Sequence, residues 1–254
     1  MKDTFFDRNI NFYDWILRKD ITTHDVNRNI AIVSTPRSGS TFFCDVINQS
    51  QRFGIAAEWF GPKQISAFCT HTGRDFENFD LQEYVDIIYK RSASNGTFSA
   101  NFHVNHWEFW KKRGVDLLNI GWEKIVFIDR KDKFSQARSL ATAEKTGSWR
   151  SIDAPIGDDT STIIDVLGAL QRLYRWEKTY ITSIKPSVAE TFYYDEFTGK
   201  NFSESFHRFA NTVEEKIEGI IFQKPERLSK QSHMNKNIET GEFVAWLKQI
   251  NQDS

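Results

Sequence analysis

Eight consecutive residues, Ser34-Thr35-Pro36-Arg37-Ser38-Gly39-Ser40-Thr41, gather the densest chemistry legible in the chain. Ser38, Ser40 and Thr41 bring hydroxyl donors, Gly39 permits close backbone approach, and Arg37 offers a forked cation suited to phosphate or sulfate oxygens. Pro36 stiffens the entry. The apolar run Asn29-Ile30-Ala31-Ile32-Val33-Ser34 precedes the loop as a buried strand, and Phe42, Phe43, Val46 and Ile47 follow it at helical spacing. Strand, loop and helix thus follow without a gap, and the unpaired N–H groups and dipole of a helix start favour an anion. The same small polar residues, taken alone, would also suit a turn that merely caps a helix. A nucleoside-triphosphate loop needs a lysine after its second glycine, whereas Ser40 follows Gly39 here. No acidic strand end clearly supplies a second metal-ordering carboxylate, which also weighs against a kinase or ATPase.

Sulfuryl transfer needs a metal less, because the transferred group carries fewer negative charges and a cation such as Arg37 can steady the leaving phosphate. The segment Thr35–Thr41 resembles the 5′-phosphosulfate loop of sulfotransferases that use 3′-phosphoadenosine-5′-phosphosulfate (PAPS), in the arginine-containing version of the Stf0-type, trehalose 2-sulfotransferase-like carbohydrate sulfotransferases. The cytosolic sulfotransferases usually have lysine in place of Arg37. The likeness continues through Gly54-Ile55-Ala56-Ala57-Glu58-Trp59-Phe60, through Asp129-Arg130-Lys131-Asp132-Lys133 with Gln136, Ser139 and Leu140, and through Thr146-Gly147-Ser148-Trp149-Arg150. The order and spacing of these blocks are more specific than any one of them.

The resemblance implies an α/β fold with a P-loop-like central parallel sheet flanked by helices, the sulfotransferase fold, with PAPS as donor and a carbohydrate or glycolipid as acceptor. It implies that Arg37, Ser38, Gly39, Ser40 and Thr41 hold the phosphosulfate, and that Arg130 and Ser139 hold the 3′-phosphate. Ser139 lies nine positions after Arg130 and eight after Lys131; the wider superfamily uses the eight-position interval, so either cation fits. Glu58 is implied as the general base that takes the proton of the attacking hydroxyl. Histidine serves that role in the cytosolic sulfotransferases, which keeps His103 and His106 as alternatives. Asn101 stands where related proteins carry a lysine, which would remove one cation from the leaving phosphate. Trp107, Trp110, Trp149 and Arg150 either line the acceptor site or pack the interior.

Positioning such a loop requires alternating strands and helices. Lys124–Asp129 reads as a second strand, followed by a helix that buries Phe134, Ala137, Leu140 and Ala141, and Thr191–Tyr194 reads as a third. Residues 81–91 and 162–181 carry helical stripes, while 54–80 have a weaker pattern. This alternation favours a parallel sheet covered on both faces, with the ligand beyond the carboxyl ends of its strands, where Ser34 and Asp129 lead.

Bulk properties bound the remaining choices. A chain of 254 residues suits a single sulfotransferase domain over 1–254. With 33 basic against 34 acidic side chains, nothing global calls for a nucleic acid or an anionic membrane, so an anion site must be local. Cys44 and Cys69 belong to no metal-binding or disulfide spacing, and no other metal motif occurs, so no metal is expected. The N-terminus lacks the apolar run of a signal peptide and no stretch is long enough for a membrane helix, so a cytoplasmic protein is expected. A homo-oligomer stays open. A phosphotransferase and a non-catalytic nucleotide- or glycan-binding protein are the competing functions.

Overall fold

The structure is a computed structural model and describes residues 25–149, 161–213 and 220–225. Its sheet has four parallel strands in the order β2-β1-β3-β4, formed by β1 (Arg28–Ser34), β2 (Thr97–His103), β3 (Lys124–Asp129) and β4 (Glu190–Tyr193). Parallel strands need crossover segments, and these supply α1 (Ser40–Gln49), α2 (Pro62–Thr72) and α3 (Leu81–Ser92) between β1 and β2, α4 (Val104–Lys111) between β2 and β3, and α5 (Lys133–Thr146) and α6 (Ile163–Thr179) between β3 and β4. After β4 come α7 (Tyr194–Thr198) and α8 (Phe202–Thr212).

The two-residue alternation of strands divides the sheet into two faces. On one face Ile30 and Ile32 of β1, Val126 and Ile128 of β3 and Phe192 of β4 join Phe43, Val46 and Ile47 of α1. Phe43 is the hub of this layer: its ring lies 5.3 Å from Phe197 of α7 and 4.8 Å from Phe206 of α8. Edge-to-face and tilted aromatic pairs of this kind add to the burial of their area. On the other face Phe98 of β2 packs on Tyr89 of α3 at 4.2 Å, and Phe127 of β3 stacks on Tyr180 at 3.6 Å. The aromatic excess is therefore mainly core, and Trp107 and Trp110 belong to it, each buried with its indole N–H bonded to Asp116 and to the Phe60 carbonyl respectively.

The strands expected at 29–34, 124–129 and 191–194 are present, the last shifted to Glu190–Tyr193. The helix expected over 162–181 ends at Thr179, where a π turn (Tyr180–Ile184) takes over. Five further elements, α2, β2, α4, α7 and α8, lie where the sequence analysis expects none.

The chain divides into two compact units, Met1–Lys131 with Lys178–Lys224, and Asp132–Glu177 with Pro225–Ser254. The first contains the whole sheet. In the second, Arg172 reaches Glu144 at 2.5 Å and Lys145 reaches Asp165 at 3.4 Å, so ion pairs link α5 to α6. No described helix is long and apolar enough to cross a membrane.

Candidate functional site at the strand ends

The loop after β1 is held in a backbone shape that costs free energy. Arg37 has φ 64°, a left-handed conformation rare for a residue with a side chain, and Gly39 follows at φ 91°. Tyr194 presses against Gly39: a Cβ there would lie 2.4 Å from its ring, so only glycine fits. Left-handed residues in a turn curl backbone N–H groups inward, the concave arrangement that accepts anions. Immediately afterwards α1 begins, with no side chain capping its first amides. Ser38 is fully buried, and its hydroxyl has no hydrogen-bond partner among the described residues. A buried polar atom in that state calls for an oxygen or nitrogen partner from outside the fold.

Glu58 reaches the same edge of the sheet through a strip of chain running beside β2. Ala57 bridges Ala100, its carbonyl accepts from the Asn101 N–H at 2.8 Å, and the Trp59 indole donates to the Ser99 carbonyl at 3.2 Å. Asn48 of α1 holds Ala56 from the other side, accepting from its N–H at 2.7 Å and donating to its carbonyl at 3.0 Å. Tyr84 of α3 donates to the Trp59 carbonyl at 2.6 Å. Three elements thus fix the backbone on both sides of Glu58.

The register of β1 on β2 pairs Ser34 with His103, placing their side chains on one face. A polar chain follows. His103 Nε2 lies 3.4 Å from Glu58 Oε1, and His103 Nδ1 lies 2.7 Å from Ser34 Oγ. Ser34 donates to Asn101 Oδ1 at 3.3 Å, and Asn101 Nδ2 donates to Ser40 Oγ at 3.4 Å. Ser40 opens α1, so the chain runs from Glu58 to the loop after β1. The Glu58 side chain is 33 % exposed and that of His103 only 11 %, so the carboxylate is the end that solvent or a substrate can touch. His106 accepts from the His103 N–H at 3.4 Å. Burial, and then the neighbouring His103, push its pKa down to about 3, too low for an efficient base near neutral pH.

The end of β3 lies on the other side of β1. Arg130 is half-buried, with its guanidinium 4.7 Å over the Tyr194 ring, the ring that touches Gly39. Its Nε is buried without a hydrogen-bond partner among the described residues. Lys131 is exposed; it sits 4.3 Å over Tyr193 and pairs with Glu196 at 3.3 Å.

No family model and no curated protein matches this chain. Arg37, Ser38, Gly39, Ser40, Thr41, Glu58 and Arg130 all belong to the first unit, at or next to the strand ends. Ser139 lies on α5, in the second unit. Trp149 is exposed at the end of that helix, and Arg150 is outside the described residues. Among the described residues no group of three His, Cys, Asp or Glu side chains is arranged to hold a metal. Both cysteines are buried and free, and burial pushes the Cys44 thiol well up. Sequence reasoning missed Ser34 as a linking residue and the contact between Glu58 and His103. One signal was available: Asn95-Gly96, at φ 50° and 69°, makes the two-residue hairpin turn that opens β2, and Phe98, Ala100 and Phe102 then alternate with polar residues.

Proposed function

We propose that the chain is a PAPS-dependent sulfotransferase acting on a hydroxyl of a carbohydrate or glycolipid. The observation that carries this reading is the unbroken polar chain from Glu58 through His103, Ser34 and Asn101 to Ser40. It couples a partly exposed carboxylate to a loop built for an anion. The residues fit the donor: the buried, unpartnered hydroxyl of Ser38 and the strained backbone at Arg37 suit the phosphosulfate oxygens. Arg130, stacked on the ring that abuts Gly39 while Lys131 is engaged by Glu196, suits the 3′-phosphate better than its neighbour does.

PAPS supplies a sulfuryl group whose bridging oxygen departs with the 5′-phosphate. On the protein side Glu58 takes the proton of the attacking hydroxyl, Arg37 balances charge at the departing phosphate, and the loop amides hold the anion in line. A Ser–His–carboxylate hydrolase is disfavoured because Ser34 is fully buried and no substrate carbonyl could reach it.

Transfer of radiolabelled sulfate from PAPS to a panel of sugars and glycolipids tests the reading. Wild-type protein is expected to label at least one acceptor. Arg37→Ala should lose most of the turnover while weakening 3′,5′-ADP only modestly, since that product lacks the transferred group. Unchanged turnover in Arg37→Ala would sink the assignment of the loop.

A further inference from the structure

A cleft of about 680 Å³ lies along α2 and shares no lining residue with the loop after β1. Lys63, Ser66 and Thr70 line it from one face of α2, at positions three and four apart, and Phe76, Phe109 and Arg113 line it from other segments. The Arg113 guanidinium lies 3.9 Å over the Phe109 ring and 5.9 Å from the centre of the Phe76 ring. Two aromatic faces thus help to hold this cation in place. A guanidinium stacked in this way keeps its N–H groups in its own plane, where a carboxylate or a phosphate ester can take two of them. Its ion pair with Glu77, at 3.4 Å between side chains 38 % and 64 % exposed, is of the weak kind that a bound anion can share or displace. Among the described residues no Asp or Glu lines the cleft, so its permanent charges are those of Lys63 and Arg113.

We propose that this cleft binds an acidic sugar of the acceptor, a uronic acid or a sugar phosphate ester, beside the sugar whose hydroxyl is sulfated. This rests on the sulfotransferase reading and on Glu58 as the base. Two elements lead from Glu58 to the cleft. The Glu58 carbonyl accepts from the Gly61 N–H at 3.0 Å, and Pro62, itself a lining residue, then opens α2. α4 starts after His103, which faces Glu58, and its Trp110 indole donates to the Phe60 carbonyl at 2.8 Å. Phe109 is therefore tied to the strip of chain that carries Glu58. From the start of α4 to Phe109 the helix rises by roughly 7–8 Å, a distance that a neighbouring sugar ring can bridge. The half-buried Phe76 offers an apolar surface to the C–H face of a pyranose, and Ser66 and Thr70 offer hydroxyls to its hydroxyls. Arg113 and Lys63 then face the acid group. A neutral sugar could use the ring and the hydroxyls but would gain nothing from the two cations.

NMR titration of the full-length protein without nucleotide tests this, using a glucuronic-acid-containing tetrasaccharide, the same tetrasaccharide with its carboxylates reduced to alcohols, glucose 6-phosphate and inorganic phosphate. At least one of the two acidic sugars is expected to bind saturably and shift the amide signals of α2 and Arg113, roughly tenfold or more tighter than the reduced tetrasaccharide. Which of the two binds tighter names the acid. Arg113→Gln should weaken the acidic sugar by roughly tenfold, the worth of one charge-assisted hydrogen bond, and leave the reduced one unchanged. Phe76→Ala should weaken both. Lys63→Gln, at an exposed position of α2, carries the charge test by a smaller loss of the same kind if Arg113→Gln does not fold. Equal affinity for the acidic and reduced sugars, an Arg113→Gln protein that binds the acid as the wild type does, inorganic phosphate bound as tightly as glucose 6-phosphate, or no binding of any sugar overturns the proposal. Sulfate transfer plays no part in these titrations, so binding of an acidic sugar stands even if transfer fails. If 3′,5′-ADP binds the wild type and no acidic sugar does, only the cleft is refuted.

Discussion

β2 and β3 pair with opposite edges of β1 and end at the same side of the sheet, yet their last residues obey different rules. At the end of β2, Asn101 and His103 are buried and bonded into a chain with Ser34 and Ser40. At the end of β3, Arg130 is half-buried against an aromatic ring and Lys131 is exposed in an ion pair. Breaking one link of a buried chain strands a polar atom, at a cost of about 1–3 kcal/mol. An exposed ion pair contributes about 0–1 kcal/mol and is screened by salt. The β2 end is therefore where geometry is fixed, and the β3 end is where a ligand can gain a new partner at little cost to the fold.

The largest expected effect falls at the outer end of the buried chain. Glu58→Gln keeps the shape but cannot take a proton, so the chemical step under single-turnover conditions should slow by about 10²–10⁴, with 3′,5′-ADP binding nearly unchanged. Wild-type turnover in this variant at neutral pH would break the comparison, and His103→Ala would then be the next protein to examine.

Second in size is Arg130→Ala, which should cost about 1.5–3 kcal/mol of 3′,5′-ADP affinity in calorimetry without changing the unfolding midpoint appreciably. Lost stability without lost affinity would show that Arg130 serves the fold rather than a ligand.

A third, smaller effect comes from His106, behind the β2 end. Its folded pKa, about 3, lies below the ordinary 6.5 because of burial and the nearby His103. The unfolded chain thus binds the proton first. Stability should hold above about pH 6.5 and fall as pH drops toward 3, by roughly 1.4 kcal/mol per pH unit at most. Urea unfolding between pH 6.5 and 5 reads this slope above the range where carboxylates titrate. His106→Gln should flatten it; an unchanged slope would assign the acid sensitivity elsewhere.

The smallest effect is expected for Lys131→Ala, below about 1 kcal/mol on nucleotide affinity. If it exceeds that of Arg130→Ala, the cation eight positions before Ser139 holds the 3′-phosphate.

The same contrast explains what could be read from the chain. β1 and β3 are runs of Ile, Val, Ala and Phe bounded by turn or charged residues, and such fully buried parallel strands announce themselves. β2 does not, because Thr97, Ser99, Asn101 and His103 alternate with its apolar residues although all seven positions are buried. Alternation of that kind ordinarily marks a strand with one wet face. Here the polar side is satisfied internally, and only the pairing of β2 with β1 shows how. The loop residues Arg37 to Thr41 were legible from type and spacing. The contact between Glu58 and His103 was not, since it depends on a strip of chain laid beside a strand 40 residues away, with Ala57 against Ala100 and the Trp59 indole on the Ser99 carbonyl. The left-handed backbone at Arg37 has no sequence signal at all, since arginine is not a residue that favours it.

Isothermal titration of the wild-type protein with 3′,5′-ADP, set beside ATP with magnesium, tests most directly whether the loop and the β3 cation together recognise the nucleotide of PAPS. Saturable binding of 3′,5′-ADP is predicted, tighter than ATP with magnesium by roughly tenfold or more, about 1.4 kcal/mol, and weakened by Arg130→Ala. Tighter binding of ATP with magnesium, or no heat from 3′,5′-ADP with folded protein, would contradict the account.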